Sequence, residues 1–277
     1  MGMRISTNIS AVNAQRTMSQ SQRAIGKSME QLASGSRINK AADDAAGLAI
    51  SEGMKSQIRS LGQAQRNAND GISMVQTAEG GLNEVSNILT RMRELGIQAS
   101  SDTIGDTERG FLNKEVQQLK AESQRITQTT KFGNAKLIDG SGDKFDFQVG
   151  IGNDAEADRI TYNASETNAS IDNLGIAGFD FSSKEGAQEA LAKIDKAQTQ
   201  VNGFRAGLGA LQNRLTSTVD NLGVQNENIS AANSRIRDTD IAAASAESAR
   251  NTVLMQANTS VLAQANQMPQ AALKLIG

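Results

Sequence analysis

One stretch limits the folds open to this chain more than any other. From Gly47 to Ala99, alternating steps of three and four residues land on Gly47, Ile50, Met54, Gln57, Leu61, Ala64, Ala68, Gly71, Val75, Ala78, Leu82, Val85, Leu89, Met92, Gly96 and Ala99. Gln57 is the one polar position on that line. An unbroken heptad stripe predicts one long helix packed against other helices. At about 1.5 Å per residue the helix is roughly 80 Å long. Such a length suits an elongated bundle and not a compact globule.

Composition agrees with a thin bundle. Aromatic residues make up 3% of 277, with one Tyr, one Pro and no Trp. So few large side chains leave a wide core hard to fill, whereas Ala-rich seams favour helices and scarce Pro leaves them unbroken. The chain has no Cys and no His. That removes thiol nucleophiles, the usual Cys/His zinc sites, disulfides and His-based acid–base chemistry. No catalytic residue, metal or cofactor is expected. The formal net charge of −2 implies no overall attraction to nucleic acid or to anionic membranes. No apolar run approaches the length of a membrane span. The first forty residues lack an apolar signal core. Their Arg- and Ser-rich character and the opening Met1–Ser6 match transit-peptide and myristoylation patterns only loosely, and chance is the preferred reading of both.

Residues 3–33 read as a helix with an imperfect stripe: Ile5, Ile9 and Val12 in one register, then Met18, Ile25, Met29 and Leu32 in another. It buries too little alone to offset its ordering entropy, so it is expected to stay loose until covered. Gly35 is placed to end it and Asn39 to cap the next helix. Asp43 and Asp44 then fall in a helical first turn, where acids favour the dipole. They are not a catalytic pair, because neighbours along a helix do not face one another.

After a polar turn near Gly105, capped by Asp106 or Thr107, a second stripe carries Leu112, Val116, Leu119 and Ile126 from Phe111 to about Thr129. The short loop makes it an antiparallel neighbour of the first long helix. The period then falls to two, with Phe145, Phe147 and Val149, and later Ile160 and Tyr162. One or two β-hairpins are expected there. A polar loop anchored by Leu174, Ile176, Phe179 and Phe181 follows. From about Ser183 a third stripe runs Ile194, Val201, Leu208, Leu215, Leu222, Ile229 and Ile236, with Ala190, Ala197, Phe204 and Leu211 beside it. A final weak stripe holds Leu254, Val261, Ala265, Met268, Ala272 and Leu275. Pro269 inside it is expected to bend or break the helix. The fold class is therefore mainly α, an elongated antiparallel helical bundle or coiled-coil rod with a small β-hairpin region. The layout is near-palindromic. Incomplete apolar faces at both ends suit self-assembly, and heterologous contacts that do not close give open polymers.

Long ordered motifs at both ends carry a resemblance. Gln31-Leu32-Ala33-Ser34-Gly35-Ser36-Arg37-Ile38-Asn39, the run Ala42–Ile50, Gln65–Ser73 and Thr77–Leu82 resemble the N-terminal signature of bacterial flagellin. Ile229–Asp240 and Gln256-Ala257-Asn258 resemble its C-terminal one. Gly2 and Ser36 depart from the commonest pattern without disturbing the heptads. The resemblance implies an inner coiled coil of the two ends, D0 (1–42 and 237–277), and a helical D1 (43–130 and 183–236). It also implies a hairpin and much-reduced variable region at 131–182. Ile5, Ile9, Val12, Met29, Leu32, Leu254, Val261, Met268 and Leu275 are the residues expected to carry D0 packing and polymerisation.

The implied function is structural. The subunit is exported unfolded by the flagellar type III apparatus and polymerises into the extracellular filament used for swimming. The implied partners are other flagellin subunits, an export chaperone, and hook-associated and cap proteins. The alternative is a hook–filament junction protein of the same superfamily. An enzyme is not expected, since there is no His and no sizeable insert. By motif match, Arg91, Leu95 and Glu115 correspond to a patch that the flagellin-sensing Toll-like receptor of animals contacts in some flagellins; the plainer reading is a solvated helix face with a seam-edge Leu.

Overall fold

The computed structural model describes residues 7–276, with side chains as far as Gln267. Five helices and four short strands follow in order: α1 (Ile9–Ser34), α2 (Ala45–Ala99), α3 (Asp106–Thr129), β1 (Lys131–Phe132), β2 (Ala135–Lys136), β3 (Lys144–Gln148), β4 (Arg159–Asn163), α4 (Lys184–Arg237) and α5 (Ile241–Ile276). The fold is mainly α, as the stripes predict. The strands form two antiparallel hairpins, β1–β2 and β3–β4. Two compact units result, one of residues 58–227 and one of 1–57 with 228–277.

In the unit of residues 58–227, the α2 stripe is the core. Leu61, Ala64, Ala68, Val75, Ala78, Leu82, Val85, Leu89, Met92 and Ala99 are all buried. Facing them on α4 are Ile194, Val201, Leu208, Leu215 and Leu222, with Ala190, Ala197 and Leu211 alongside. Val116 of α3 is fully buried and Leu112, Leu119 and Ile126 pack partly beside it. The β3–β4 register pairs Phe145 with Tyr162 and Phe147 with Ile160, which turns the alternating side chains to one face. At Gly71 a Cβ would stand 3.1 Å from the Phe147 ring, so a bare Cα lets the hairpin lie against α2.

A second row on α2 escapes a strict heptad reading. Met74, Gly81, Ile88 and Leu95 recur every seven residues, and all are buried or half-buried. A helix with neighbours on more than one side needs a wider stripe than two heptad positions.

Residues 164–183 contain no regular element, yet Ala164, Ala169, Leu174, Ile176, Phe179 and Phe181 are buried. Their backbone polar groups need partners, and one polar face of α3 supplies them. Asn113 Oδ1 accepts the Phe181 N–H at 3.2 Å, and Gln117 donates to the Phe179 carbonyl at 3.1 Å. Lys120 donates to Ala177, Gln124 accepts the Ile171 N–H, and Thr127 donates to Ala169. The α2–α3 turn is held by Arg109, a buried cation whose guanidinium donates to the Ala99 and Ser101 carbonyls and to Asp106. Gly105 stands at the α3 N-cap without a side-chain bond, so neither Asp106 nor Thr107 caps it; Asp106 and Glu108 occupy the first turn instead.

In the other unit, α1 packs along α5. Asn8 caps α1 by accepting the Ala11 N–H and ties it to α5 by donating to the Ala265 carbonyl at 2.8 Å. Gly35 ends α1 in the left-handed region, φ 69°, as expected. The α2 N-terminus differs from expectation. Asp44, not Asn39, accepts the Gly47 N–H, while Asp43 lies before the helix and accepts from Asn39, Lys40 and Lys27. The start of the α2 stripe also differs: Ile50 is exposed rather than in a seam. The helix α5 runs through Pro269 to Ile276, so the expected break is not seen.

Candidate functional site

The seam between α1 and α5 is built from small residues. On α1 the buried positions are Ala14, Ser21 and Ser28, seven residues apart, flanked by half-buried Ala11, Met18, Ile25 and Leu32. On α5 they are Ala244, Ser248, Asn251 and Ala265, with half-buried Met255, Asn258 and Leu262. Small side chains let the helices approach closely. They remove little apolar surface from water, at about 25 cal/mol per Å².

Several of the larger apolar side chains point outward. Ile9, Val12 and Met29 of α1 are 60%, 59% and 55% exposed, and Leu254 and Val261 of α5 are 46% and 52% exposed. Of the residues expected to pack the terminal helices, only Leu32 lies in the intramolecular seam, half-buried. Ile5 and the side chains of Met268 and Leu275 lie outside the described residues. Two further outward residues, Ile241 and Val253, join this surface and were not foreseen. Their signal was present: Ala244, Asn251, Asn258 and Ala265 form a heptad of small and amide residues, which marks the other apolar residues as facing away.

A clasp closes this unit where the chain passes between helices. The Arg37 N–H donates to the Arg237 carbonyl at 2.6 Å, and the Thr239 N–H to the Gly35 carbonyl at 3.0 Å, around a Ser36–Asp238 bridge. The Arg37 guanidinium reaches the Ile236 carbonyl at 2.7 Å, Arg237 pairs with Glu52, and Ile38 is buried beneath. The two segments richest in family-like motifs are thus hydrogen-bonded to one another.

Of Arg91, Leu95 and Glu115, two meet at the surface and one is buried. Arg91 and Glu115 meet on the surface, Nη2 to Oε1 2.8 Å, with Glu94 also paired to Arg91. Hydrogen bonds to Glu115 and then Glu94 push the Arg91 pKa above its ordinary value. Leu95 is corrected: at 1% exposure it belongs to the second buried row of α2, and no partner can touch it there.

Among the described residues, no cluster of acidic side chains is arranged to hold a metal, and no helix is long and apolar enough to cross a membrane.

Comparison with known proteins agrees with this architecture. The bacterial flagellin N-terminal helical region matches residues 5–143, and the C-terminal helical region matches 191–276. The chain belongs to the bacterial flagellin family. It is 46% identical to the flagellin of Halalkalibacterium halodurans over 99% of this chain and 100% of that one. It is 40% identical to Bacillus subtilis flagellin over 99% of this chain and all of that protein. The crystal structure of Bacillus cereus flagellin covers 61% of this chain and 94% of its own, with a TM-score of 0.51 and 31% identity. As a flagellin the chain is a structural filament subunit and not an enzyme, and full-length likeness to flagellins does not favour the junction-protein alternative.

Proposed function

We propose that the outward apolar faces of α1 and α5 are the surface through which this subunit polymerises into the extracellular flagellar filament for motility. The observation that carries this reading is the inversion of the terminal pair. Small residues sit between the helices, and Ile9, Val12, Met29, Val253, Leu254 and Val261 are left in water. Large apolar side chains exposed along both paired helices suit an interaction surface. Residues 1–42 with 237–277 form the inner D0 segment, 43–130 with 183–236 form D1, and 131–182 is the reduced outer region. Ile5, Met268 and Leu275 extend the same apolar stripes in sequence.

Export through the flagellar type III apparatus suits a terminal pair held mainly by small side chains. An export chaperone, cap and hook-associated proteins are the partners of that route. Arg91 and Glu115 remain the accessible part of the receptor-contact patch.

The test is truncation. Without residues 1–33 or 240–277 the protein is expected to stay soluble, with its 58–227 unit folded, and to grow no filaments from seeds by electron microscopy. Normal filaments from either truncation would overturn the assignment.

A further inference from the structure

In the unit of residues 1–57 with 228–277, the seam between the helices repeats itself. Ala14, Ser21 and Ser28 lie seven residues apart on α1, and Ala244, Asn251, Asn258 and Ala265 lie seven apart on α5. Counted antiparallel from the Asn8–Ala265 hydrogen bond, Ala14 stands across from Asn258, Ser21 from Asn251 and Ser28 from Ala244. Sliding α1 one heptad away from the clasp, about 10 Å, sets Ala14 across from Ala265, Ser21 from Asn258 and Ser28 from Asn251. Small side chains meet small or amide side chains in both alignments.

Helix pairs take their register from charged or amide groups that pair across the seam. Here those groups are spent elsewhere. On α1, Lys27 pairs with Asp43 and Glu30 with Lys40, both in the connector to α2; on α5, Arg250 pairs with Glu247 of the same helix. Among the described residues no ion pair joins α1 to α5. Asn251 donates to Glu247 of its own helix, and Asn258 Nδ2, although buried, meets no acceptor on α1. The flanking rows Met18, Ile25 and Leu32 and Met255 and Leu262 also recur every seven residues and are half in water. The Asn8 amide donates to a main-chain carbonyl, a group that each residue of α5 repeats.

The clasp does not repeat. Its two main-chain bonds, Arg37 N–H to the Arg237 carbonyl and Thr239 N–H to the Gly35 carbonyl, lie outside the seam and can be made in one alignment only. The connector that carries Arg37 is itself tied to the end of α1. Gln31 donates to the Arg37 carbonyl at 3.1 Å, Asn39 to the Ser36 carbonyl at 3.1 Å, and Lys40 meets Glu30 at 2.7 Å. Helix and connector therefore move together, and a slip must break both main-chain bonds. Once they are broken, the ten residues 35–44 between α1 and α2 can extend to about 33 Å, enough to absorb one heptad.

We propose that the clasp is what sets the register of α1 on α5, selecting one of two alignments that the seam itself scarcely distinguishes. The inference concerns the single chain and does not depend on the polymerising role argued above.

The absence of Cys permits a direct reading. In the full chain, Ala14→Cys with Asn258→Cys reports the alignment described, and Ser21→Cys with Asn258→Cys reports the slipped one. A disulfide needs Cα atoms within about 7 Å, less than the roughly 10 Å of one heptad, so each pair reads one register. Both pairs are oxidised in dilute subunit with the clasp intact and with Arg37→Pro or Thr239→Pro, each of which deletes one main-chain donor. The intramolecular products are compared on non-reducing gels. With the clasp intact the first pair is expected to close and the second to stay open. Either clasp variant is expected to lower the ratio of first product to second by roughly 10-fold or more. Met18→Ser, which weakens the seam away from the clasp, is expected to reduce closure and leave the ratio as it was. An unchanged ratio in both clasp variants overturns the proposal. So does an intact chain in which the second pair closes as readily as the first, or a Met18→Ser shift as large as that of the clasp variants. Clasp variants in which neither pair closes also overturn it, since the clasp then fastens the helices without choosing their register.

Discussion

Lys120 places its ammonium within 2.5 Å of the Ala177 carbonyl, pinning an irregular segment to a helix with a buried charge. Burial is the main cause of its lowered pKa, and the Asp180 carboxylate partly opposes it. Replacing Lys120 with Ala leaves the Ala177 carbonyl unpaired and is expected to cost about 1–3 kcal/mol, read as a lower urea midpoint. The pH dependence has a definite sign. Between the lowered folded pKa and the ordinary 10.5, the unfolded chain holds a proton that the folded chain has released. Stability contributed by this group therefore rises with pH across that window. A Lys120→Met variant is expected to lack that rise when the two proteins are compared in the same alkaline buffers.

Gly80 and Gly81 are neighbours on α2 with opposite expectations. A Cβ at Gly80 meets nothing within 4 Å. Gly80→Ala is thus expected to stabilise by up to about 1 kcal/mol through helix propensity alone. A Cβ at Gly81 would lie 2.6 Å from Thr130 Oγ1 and 3.0 Å from Ile138 Cδ1. Overpacking costs about 1–3 kcal/mol, enough to reverse the propensity gain. Thermal midpoints moving the same way in both variants would refute this reading of α2 packing.

Tyr162 donates to the Leu137 carbonyl at 2.7 Å and stacks on Phe145 with ring centroids 6.2 Å apart. Desolvation pushes its pKa above 10.0. It is the one Tyr in a chain without Trp, so phenolate absorbance reports on this position alone. Native protein is expected to titrate at higher pH than urea-unfolded protein. The stabilising effect is present below pH 10.0 and is lost as pH climbs through the folded value. Tyr162→Phe is expected to cost about 1 kcal/mol by removing the hydrogen bond.

Seam and surface of the terminal pair respond differently. Val12→Ser and Val253→Ser alter side chains 59% and 64% exposed. The isolated subunit is expected to keep its stability within about 0.5 kcal/mol, while the critical concentration for polymerisation rises in sedimentation assays. Ala14→Leu forces a large side chain between α1 and α5 and is expected to cost about 1–3 kcal/mol in the subunit itself.

These contrasts locate what the sequence reveals. From Leu61 to Ala99 the heptad positions coincide with the core, because α2 there is covered by partners within its unit. Phe145, Phe147, Ile160 and Tyr162 were readable as hairpin residues for a similar reason: one face is covered, and the alternation records it. The same logic misplaces α1 and α5. Counting large apolar residues finds Ile9, Val12 and Met29, which point outward, together with Met18, Ile25 and Leu32, which only flank the seam that Ala14, Ser21 and Ser28 mark. Leu95 was misread because α2 has neighbours on several sides, which widens its buried face. The polar row Asn113, Gln117, Lys120, Gln124 and Thr127 carries no apolar periodicity to mark it. Its partner is the backbone of an irregular segment, and nothing in the local sequence of α3 records that.

The small-residue seam of α1 and α5 makes concentration a folding variable. A pair whose fully buried seam positions are Ala, Ser and Asn gains little from its own contact, so in the filament proposed above neighbours are expected to add to its order through mass action. Addition of a subunit and completion of its fold then become one event. Its reverse, loss of a subunit from an end, requires giving up helix as well as contact area, so a finished polymer is guarded against shedding by the unfolding that shedding entails.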